Sequence, residues 1–244
     1  VGCLSSNVST IAITVNTLPV VAAASSTSAV CFGQSVTLTG SGANTYTWAA
    51  SIGTATNGIA FSPTATANYT VSGTNTLTGC TNTNVSAVTV TVYALPSLTI
   101  SGNASICNGG NATLTASGAN TYTWSTSTVS NVVVLNPSTT TPYTVTATDI
   151  NGCVNASVKT VSVGTLPIVT VTTASAVICA NGTTTFNASG ASTYTLTSSL
   201  GTVPIGISYT PAATANYSLV GTNSAGCTST NNAVVGVTVN PLPT

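Results

Sequence analysis

The sequence predicts an all-β fold of tandem antiparallel β-sandwiches of about 74 residues each, joined into a rod. Three observations carry this prediction: a repeated octet, apolar residues in period-two alternation, and regularly spaced cysteines. The octet SGANTYTW occupies residues 41–48 and again 117–124, and the variant SGASTYTL occupies 189–196. These segments start 76 and 72 residues apart, a period that suits a small domain and exceeds that of a solenoid repeat.

Two dipeptides keep the same spacing along the chain. Leu-Pro begins at Leu18, Leu95, Leu166 and Leu242, and Gly-Cys ends at Cys3, Cys80, Cys153 and Cys227. We therefore place three repeats at 20–96, 97–167 and 168–244, and we expect residues 1–19 to be the last strand of a preceding repeat. Only a few residues around each Leu-Pro join the repeats, which predicts stiff joints because proline fixes φ.

Apolar and polar residues alternate within each repeat, as they do in half-buried β-strands. Val88, Val90 and Val92, for example, alternate with Thr89 and Thr91 near the end of the first repeat. No helical period competes over any long stretch. Six or seven short strands in about 74 residues are typical of a sandwich of immunoglobulin type.

The octet supplies the predicted core aromatics. Its Tyr-x-Trp places both rings on one face of a strand, where such sandwiches hold their central aromatic. Leu196 replaces the Trp in the third repeat, and this favours a core over a stacking platform, because a core tolerates an apolar replacement. A further Tyr follows a Pro-containing corner in each repeat and is similar to the tyrosine corner of these sandwiches. The predicted core aromatics are Tyr46, Trp48, Tyr122, Trp124, Tyr194, Tyr69, Tyr143 and Tyr217.

The composition excludes most chemistry. The chain has one cation, Lys159, one anion, Asp149, and no His. General acid–base catalysis, metal binding and phosphate recognition all need clusters of such groups. We therefore expect no enzyme activity, no catalytic, cofactor-binding or metal site, and no nucleic-acid partner, with Asp149 in a turn and Lys159 on a solvated strand. No apolar run approaches the length of a membrane span.

Six cysteines recur at two positions in each repeat, one before the second strand and one in the last hairpin. We expect all six to form disulfides: Cys31, Cys80, Cys107, Cys153, Cys179 and Cys227. The repeat favours pairing within each unit, as Cys31–Cys80, Cys107–Cys153 and Cys179–Cys227. The two positions lie at opposite ends of an immunoglobulin sandwich, however, so links between neighbouring units, such as Cys31 with Cys153 and Cys107 with Cys227, stay an open alternative. The partner of Cys3 is expected upstream of residue 1, and disulfides imply an extracellular setting.

The order of motifs in each repeat is Cys-x-Gly, Thr-Leu-Thr-x-Ser-Gly, Tyr-x-Trp, Pro, Tyr-Thr-Val-x-x-Thr, Gly-Cys, Val-x-Val and Leu-Pro. In the first repeat it runs through Cys31, Gly33, Thr37, Leu38, Thr39, Ser41, Gly42, Trp48, Pro63, Tyr69, Thr70, Val71, Gly79, Cys80, Val90, Leu95 and Pro96. The whole chain thereby resembles the tandem immunoglobulin-like repeats of giant surface adhesins that gliding Bacteroidetes export by type IX secretion. The third repeat departs most, with Ala180 and Asn181 after its first cysteine. The resemblance implies a bacterial cell-surface or secreted protein in which such repeats act as stalk, and it transfers no binding residue.

Two functions follow as hypotheses. The first is a non-catalytic stalk or filament segment of an extracellular adhesin that serves surface attachment or gliding; its partners are neighbouring repeats and, because charge repulsion is weak, laterally associated copies. The second is a glycan- or protein-binding module that uses inter-strand loops. Exposed loop aromatics would favour the second, yet both Trp and nearly all Tyr fall on inward positions, with Tyr93 as the main exception.

Overall fold

A computed structural model of the chain describes Gly2 and residues 9–243. In this part of the chain the regular secondary structure consists of β-strands, which confirms the predicted all-β class of tandem sandwiches. Over the same residues the chain forms no helix of the length and apolarity needed to cross a membrane. Cys3 lies outside the described residues.

The first sandwich shows the topology on which the rest of the fold is built. Its strands are β1 (Ala22–Ser25), β2 (Ala29–Cys31), β3 (Val36–Ser41), β4 (Thr45–Ala50), β5 (Ala60–Phe61), β6 (Ala67–Thr74) and β7 (Ser86–Tyr93). One sheet has the order β1-β3-β5 and the other β2-β7-β6-β4. Strand β2 pairs parallel to β7, whereas the other pairs are antiparallel. The N-terminal segment therefore contributes β1 to one sheet and β2 to the other.

The second and third sandwiches repeat this topology. The second consists of β8 (Thr99–Gly102), β9 (Ser105–Cys107), β10 (Ala112–Ser117), β11 (Thr121–Trp124), β12 (Val132–Leu135), β13 (Thr141–Thr148) and β14 (Val154–Gly164). The third consists of β15 (Thr170–Thr173), β16 (Val177–Cys179), β17 (Thr184–Ser189), β18 (Thr193–Ser198), β19 (Gly201–Val203), β20 (Ser208–Tyr209), β21 (Ala215–Thr222) and β22 (Ala233–Asn240). Strands β9 and β16 pair parallel to β14 and β22, as β2 does to β7. The third sandwich adds β19, which extends one sheet beyond β18.

Each sandwich has its own apolar core, and the third core explains the altered octet. Leu38 and Trp48 are buried in the first core, and their counterparts in the second also pair a Leu with a Trp. In the third, Phe186 stands at the Leu position and Leu196 at the Trp position, and both are fully buried. The aromatic ring of the third core therefore lies on β17 instead of β18. There Phe186 packs against Tyr217, with ring centroids 4.5 Å apart. This compensating exchange keeps the core filled.

The glycine of the repeated SGA turn lies where the chain enters the first and the third sandwich. Gly42 has a φ of +94°, and a Cβ there would lie 1.9 Å from the carbonyl oxygen of Val20. Gly190 has a φ of +98°, and its Cβ would lie 1.9 Å from the carbonyl oxygen of Ile168. Val20 and Ile168 directly follow the prolines of the Leu-Pro joints. Only glycine fits this left-handed turn against the backbone.

Two compact units emerge from the contacts within the chain. The first extends to Ser97 and includes Thr148–Asn155, and the second holds Leu98–Ala147 and Ala156–Thr244. The hairpin between β13 and β14 thus belongs to the first unit. The boundaries 1–19, 20–96, 97–167 and 168–244 stay predictions. Residues 9–19 form no strand, and the side chains of Ile11, Ile13 and Val15 are exposed.

Candidate functional site

Two disulfides are the chemical feature that the fold assembles. Cys31 bonds Cys153, and Cys107 bonds Cys227, each with a Cα–Cα distance of 5.5 Å. Cys31, Cys107 and Cys179 end β2, β9 and β16, and we call them the turn cysteines. Cys80, Cys153 and Cys227 lie in the β6–β7, β13–β14 and β21–β22 hairpins, and we call them the hairpin cysteines. Each disulfide therefore joins the turn cysteine of one sandwich to the hairpin cysteine of the next.

The expected pairing within each repeat is wrong, and the alternative between repeats is confirmed. Because β2 runs parallel to β7, Cys31 lies opposite Tyr93 at the end of β7, whereas Cys80 lies in the hairpin before β7 begins. Strand β7, from Ser86 to Tyr93, spans about 26 Å at about 3.3 Å per residue. Bonded cysteines need Cα atoms within about 7 Å, so the two positions of one sandwich cannot meet.

The prediction that all six cysteines are bonded is also wrong for two of them. Cys80 and Cys179 are free thiols in this structure, Cys80 half-buried and Cys179 exposed. They are the hairpin cysteine of the first sandwich and the turn cysteine of the third. The physical reason is that a disulfide between repeats needs a sandwich on either side. Among residues 9–243 no turn cysteine precedes Cys31 and no hairpin cysteine follows Cys227.

The turn after each turn cysteine has the same backbone geometry. The carbonyl oxygen of the cysteine accepts a hydrogen bond from the N–H three residues later, at 2.9 Å from Gln34, 2.8 Å from Gly110 and 2.8 Å from Gly182. The residue before that donor is left-handed in all three turns: Gly33 at +88°, Gly109 at +83° and Asn181 at +68°. Asn tolerates this region better than other residues with a Cβ. The third repeat therefore keeps the turn although its sequence differs.

The hairpins are shaped by an acceptor side chain that the sequence analysis did not assign. Asp149 Oδ1 accepts hydrogen bonds from the backbone N–H of Asn151, at 2.9 Å, and of Cys153, at 2.8 Å. Asn223 Oδ1 accepts the equivalent pair from Ala225 and Cys227, both at 3.0 Å. These are Asx turns, in which a short polar side chain replaces a backbone acceptor. The signal was present in the sequence as an Asp or Asn four residues before the cysteine.

Hydrogen bonds to the Leu-Pro joints accompany the disulfides. Asn155 Nδ2 donates to the carbonyl oxygen of Pro96 at 2.9 Å, and Asn223 Nδ2 donates to that of Thr165 at 2.8 Å. The bonded hairpin cysteines are enclosed, with Cys153 0% and Cys227 1% exposed. A disulfide thus holds each hairpin at the turn cysteine of the preceding sandwich, and a hydrogen bond from Asn155 or Asn223 reaches the nearby joint.

The predicted core aromatics divide into two groups. Trp48, Trp124, Tyr69, Tyr143 and Tyr217 are buried, and Tyr46, Tyr122 and Tyr194 are half-buried against the cores. The hydroxyls of the second group donate to the carbonyl oxygens of Ala43, Ala119 and Ala191, at 2.6, 2.8 and 2.6 Å. Each also accepts the N–H of the same alanine at 2.9 Å. These tyrosines therefore close the SGA turn.

The tyrosine corner expected at Tyr217 is not formed. Its hydroxyl is buried and bonds no backbone group in the described part of the chain; its polar neighbour is the side chain of Tyr209. Burial raises the pKa of this hydroxyl and of the hydroxyl of Tyr69, because the charged phenolate loses its hydration. Instead, the octet tyrosines, Tyr46, Tyr122 and Tyr194, form hydrogen bonds to the backbone.

The remaining surface offers shallow, uncharged clefts. One of them, of about 500 Å³, lies in the second sandwich between the turn around Tyr122 and the loop around Ser130. Its tyrosine hydroxyl is already bonded to Ala119. Within residues 9–243 no three His, Cys, Asp or Glu side chains lie close enough to hold a metal ion.

No protein-family model and no curated protein matches the chain. Solved structures resemble it weakly. A Ca²⁺-stabilised adhesin that helps an Antarctic bacterium bind ice is 17% identical, with a TM-score of 0.38, over 93% of this chain and 75% of that chain. A 1.5-MDa bacterial ice-binding adhesin is 17% identical, with a TM-score of 0.34, over 93% and 99%. Fibronectin(III)-like modules of Clostridium thermocellum CbhA are 12% identical, with a TM-score of 0.37, over 59% and 95%. Similarity at this level carries no argument about function.

Proposed function

We propose that this chain is a non-catalytic structural segment of an extracellular bacterial surface adhesin, in which disulfide-linked sandwiches form a stiff stalk or filament for attachment or gliding. The observation that carries the proposal is the pair of disulfides Cys31–Cys153 and Cys107–Cys227. Both join a turn cysteine to the hairpin of the following sandwich. Such a bond adds a second covalent connection to a joint that the peptide chain already makes.

The physical argument concerns rotation at the joints. A peptide linker alone allows two domains to swing, even when a proline shortens its range of conformations. A disulfide beside the linker fixes a second point, and the hydrogen bond from Asn155 to Pro96 fixes a third. Three restraints around one joint leave little freedom to bend. Stiffness of this kind suits a spacer that holds another part of a protein away from a cell.

The composition supports the same role. With one Lys and one Asp in 244 residues, few ion pairs depend on ionic strength. Weak repulsion also permits lateral packing of copies into fibres. The disulfides favour an oxidising, extracellular location, and the motif order supports export by the type IX route of gliding Bacteroidetes.

The second candidate, a glycan- or protein-binding module, is favoured by the cleft of about 500 Å³ beside Tyr122. Hydroxyl and amide groups of the surrounding loops would bind uncharged hydroxylated ligands such as glycans. Asn120→Ala should abolish any signal on a glycan array if this cleft binds sugar. If a glycan binds the Asn120→Ala variant as well as the wild type, this cleft is not its binding site.

Small-angle X-ray scattering tests the stalk. The oxidised protein should show a maximum dimension of roughly 110–120 Å, from three sandwiches of extended strands placed end to end at about 3.3 Å per residue. Replacing Cys31, Cys153, Cys107 and Cys227 by Ser should broaden the distance distribution and shorten its mean. The matched control replaces Cys80 and Cys179, which removes two thiols and no disulfide. Identical scattering from the two variants, or a compact wild-type protein, would refute a disulfide-stiffened stalk.

A further inference from the structure

We propose that Asn108 is a site of self-catalysed deamidation, at which the backbone nitrogen of Gly109 displaces the side-chain amide. This is a covalent modification that a stalk role does not require. The sequence contains four Asn-Gly steps, at Asn57, Asn108, Asn151 and Asn181. All four have the same pair of residues, so the sequence does not rank their reactivity. The hydrogen bonds of the folded chain do rank them, and they leave one of the four free to react.

The reaction consumes one water molecule and needs no enzyme. A base removes the N–H proton of Gly109, and the nitrogen then attacks Cγ of Asn108. A C–N bond forms, the Cγ–Nδ2 bond breaks, and the amide takes up a proton and leaves as ammonia. Water opens the resulting five-membered imide at either carbonyl, which gives aspartate or isoaspartate. Glycine favours the attack because it has no side chain beside the nitrogen.

The turn after Cys107 has Asn108 and Gly109 at its two central positions, and both residues are exposed. The carbonyl oxygen of Cys107 accepts the N–H of Gly110 at 2.8 Å, and Gly109 has a φ of +83°, as in a type II turn. Neither the peptide group between the central residues nor the Asn108 side chain makes a hydrogen bond within the described part of the chain. This peptide group can therefore rotate toward the Asn108 side chain while the turn stays closed, since glycine adopts φ of either sign.

The third sandwich has the same turn with the Asn-Gly step displaced by one residue. Asn181 occupies the second central position, with a φ of +68°, and is exposed like Asn108. The N–H of Gly182 donates to the carbonyl oxygen of Cys179 at 2.8 Å. The nitrogen that would attack is thus the donor that closes the turn. Rotation of this peptide group breaks the closing hydrogen bond, which slows the reaction although the side chain is accessible.

The nitrogens of the other two Asn-Gly steps are also hydrogen-bonded. The N–H of Gly58 donates to the carbonyl oxygen of Leu38 at 2.9 Å. The N–H of Gly152 donates to the carbonyl oxygen of Asp149 at 3.2 Å. Among the four steps, all of which lie within residues 9–243, only the one at Asn108 combines an exposed side chain with an unbonded attacking nitrogen.

Deamidation at this position changes the turn that presents a bonded cysteine. Asp149 is the only acidic residue of the chain, so a carboxylate at position 108 adds a second anion. Isoaspartate also routes the main chain through Cβ, which lengthens the turn whose closing hydrogen bond is made by Cys107. The modification therefore alters the surroundings of the Cys107–Cys227 disulfide. The equivalent turn at Cys31 has Phe32 at this position and is not modified.

The test follows the four steps in the full-length chain during incubation in mildly alkaline buffer. Mass spectrometry of chymotryptic peptides, taken after reduction, separates asparagine from aspartate and isoaspartate at each site. Asn108 should convert about tenfold faster than Asn57, Asn151 or Asn181, because a typical hydrogen bond lost on the way to reaction corresponds to about a factor of ten in rate. In urea with reductant, where the chain is unfolded, all four should convert at similar rates.

The matched variants exchange the two turns. Asn108→Ala with Gly109→Asn gives the second turn the sequence of the third, and Ala180→Asn with Asn181→Gly does the converse. Both changes keep glycine or asparagine at the left-handed position, so the fold should be retained. Fast conversion should disappear from the second turn in one variant and appear at position 180 in the other. Equal rates at Asn108 and Asn181 in the folded wild type, or no gain at position 180, would overturn the proposal.

Discussion

Cys107 and Cys227 are separated by 120 residues, yet their Cα atoms lie 5.5 Å apart and their sulfur atoms are bonded. The space between them depends on Gly164, which lies opposite Cys107 in the parallel pair of β9 and β14. A Cβ at Gly164 would lie 3.0 Å from the sulfur of Cys227. The end of the second sandwich and the hairpin of the third are therefore in direct contact through this pair.

Replacing Cys107 and Cys227 together by Ser should destabilise the protein. The chain-entropy model gives about 5 kcal/mol for a disulfide that closes a loop of more than 100 residues. Urea unfolding should show a lower midpoint, and the amides of residues 223–227 should exchange faster with deuterium. The double variant Cys80→Ser with Cys179→Ser is the control and should unfold like the wild type. Unchanged exchange in the hairpin would mean that the disulfide does not hold it.

Two tyrosines of the third sandwich should respond oppositely to loss of the hydroxyl. Tyr194→Phe leaves the N–H and carbonyl of Ala191 without a partner and should lower the free energy of unfolding by about 1–3 kcal/mol. Tyr217→Phe removes a buried hydroxyl that bonds no backbone group in the described residues and has only the Tyr209 side chain beside it, so it should be neutral or stabilise by about 1 kcal/mol. Urea denaturation compares the two. Equal destabilisation would show that the Tyr217 hydroxyl makes a bond.

Gly190→Ala should be far more damaging than Gly201→Ala. Both glycines have a positive φ, +98° and +116°, so both changes cost about 1–2 kcal/mol of backbone strain. Gly190 alone also faces a backbone oxygen, at 1.9 Å from the added Cβ, whereas nothing lies within 4 Å of the Cβ at Gly201. We expect a clear loss of melting temperature, or failure of the third sandwich to fold, for Gly190→Ala only. Similar melting temperatures for both variants would contradict the close approach to Ile168.

The single acidic residue should be replaceable by its amide. Asp149→Asn keeps the oxygen that accepts the N–H groups of Asn151 and Cys153, and Asn223 shows that an amide fills this role. Asp149→Ala removes both hydrogen bonds and should cost about 1–2 kcal/mol. Refolding under glutathione should also form the Cys31–Cys153 bond more slowly in the Ala variant. A large effect of Asp149→Asn would indicate a role for the charge.

Stability should be insensitive to pH until the tyrosines ionise. Burial raises the pKa of Tyr69 and Tyr217, so the folded state keeps their protons more tightly than the unfolded chain does. This contribution is fully present below the unfolded pKa of about 10 and is lost as the pH rises from there through the higher pKa of the folded state. The melting temperature of the Cys80→Ser, Cys179→Ser variant should stay level from about pH 6 to 9 and fall above about 10. Adding Tyr217→Phe should make that fall shallower, and an unchanged slope would contradict the buried-tyrosine explanation.

The sequence by itself determined the strands, the three-fold repetition and the near absence of charge. Period-two alternation indicates which side of a sheet each residue occupies. The repeated octet contains a turn that only glycine can form against the backbone, as at Gly42 and Gly190. These are local properties, because they depend on the residue itself and on its immediate neighbours. The Asx turns at Asp149 and Asn223 are local too, because each residue lies four positions before a cysteine in the sequence.

Only the tertiary structure decided which cysteines meet and how the third core is filled. The regular spacing of the cysteines is compatible both with pairing within a repeat and with pairing to the next repeat, so periodicity cannot separate the two. The parallel pairing of β2 with β7 separates them, since it places Cys31 at the far end of its own sandwich from Cys80. In the same way, Phe186 compensates for Leu196 only because β17 and β18 face one another across the core. Both outcomes depend on contacts between distant segments, and the distances between those segments exist only in the folded chain.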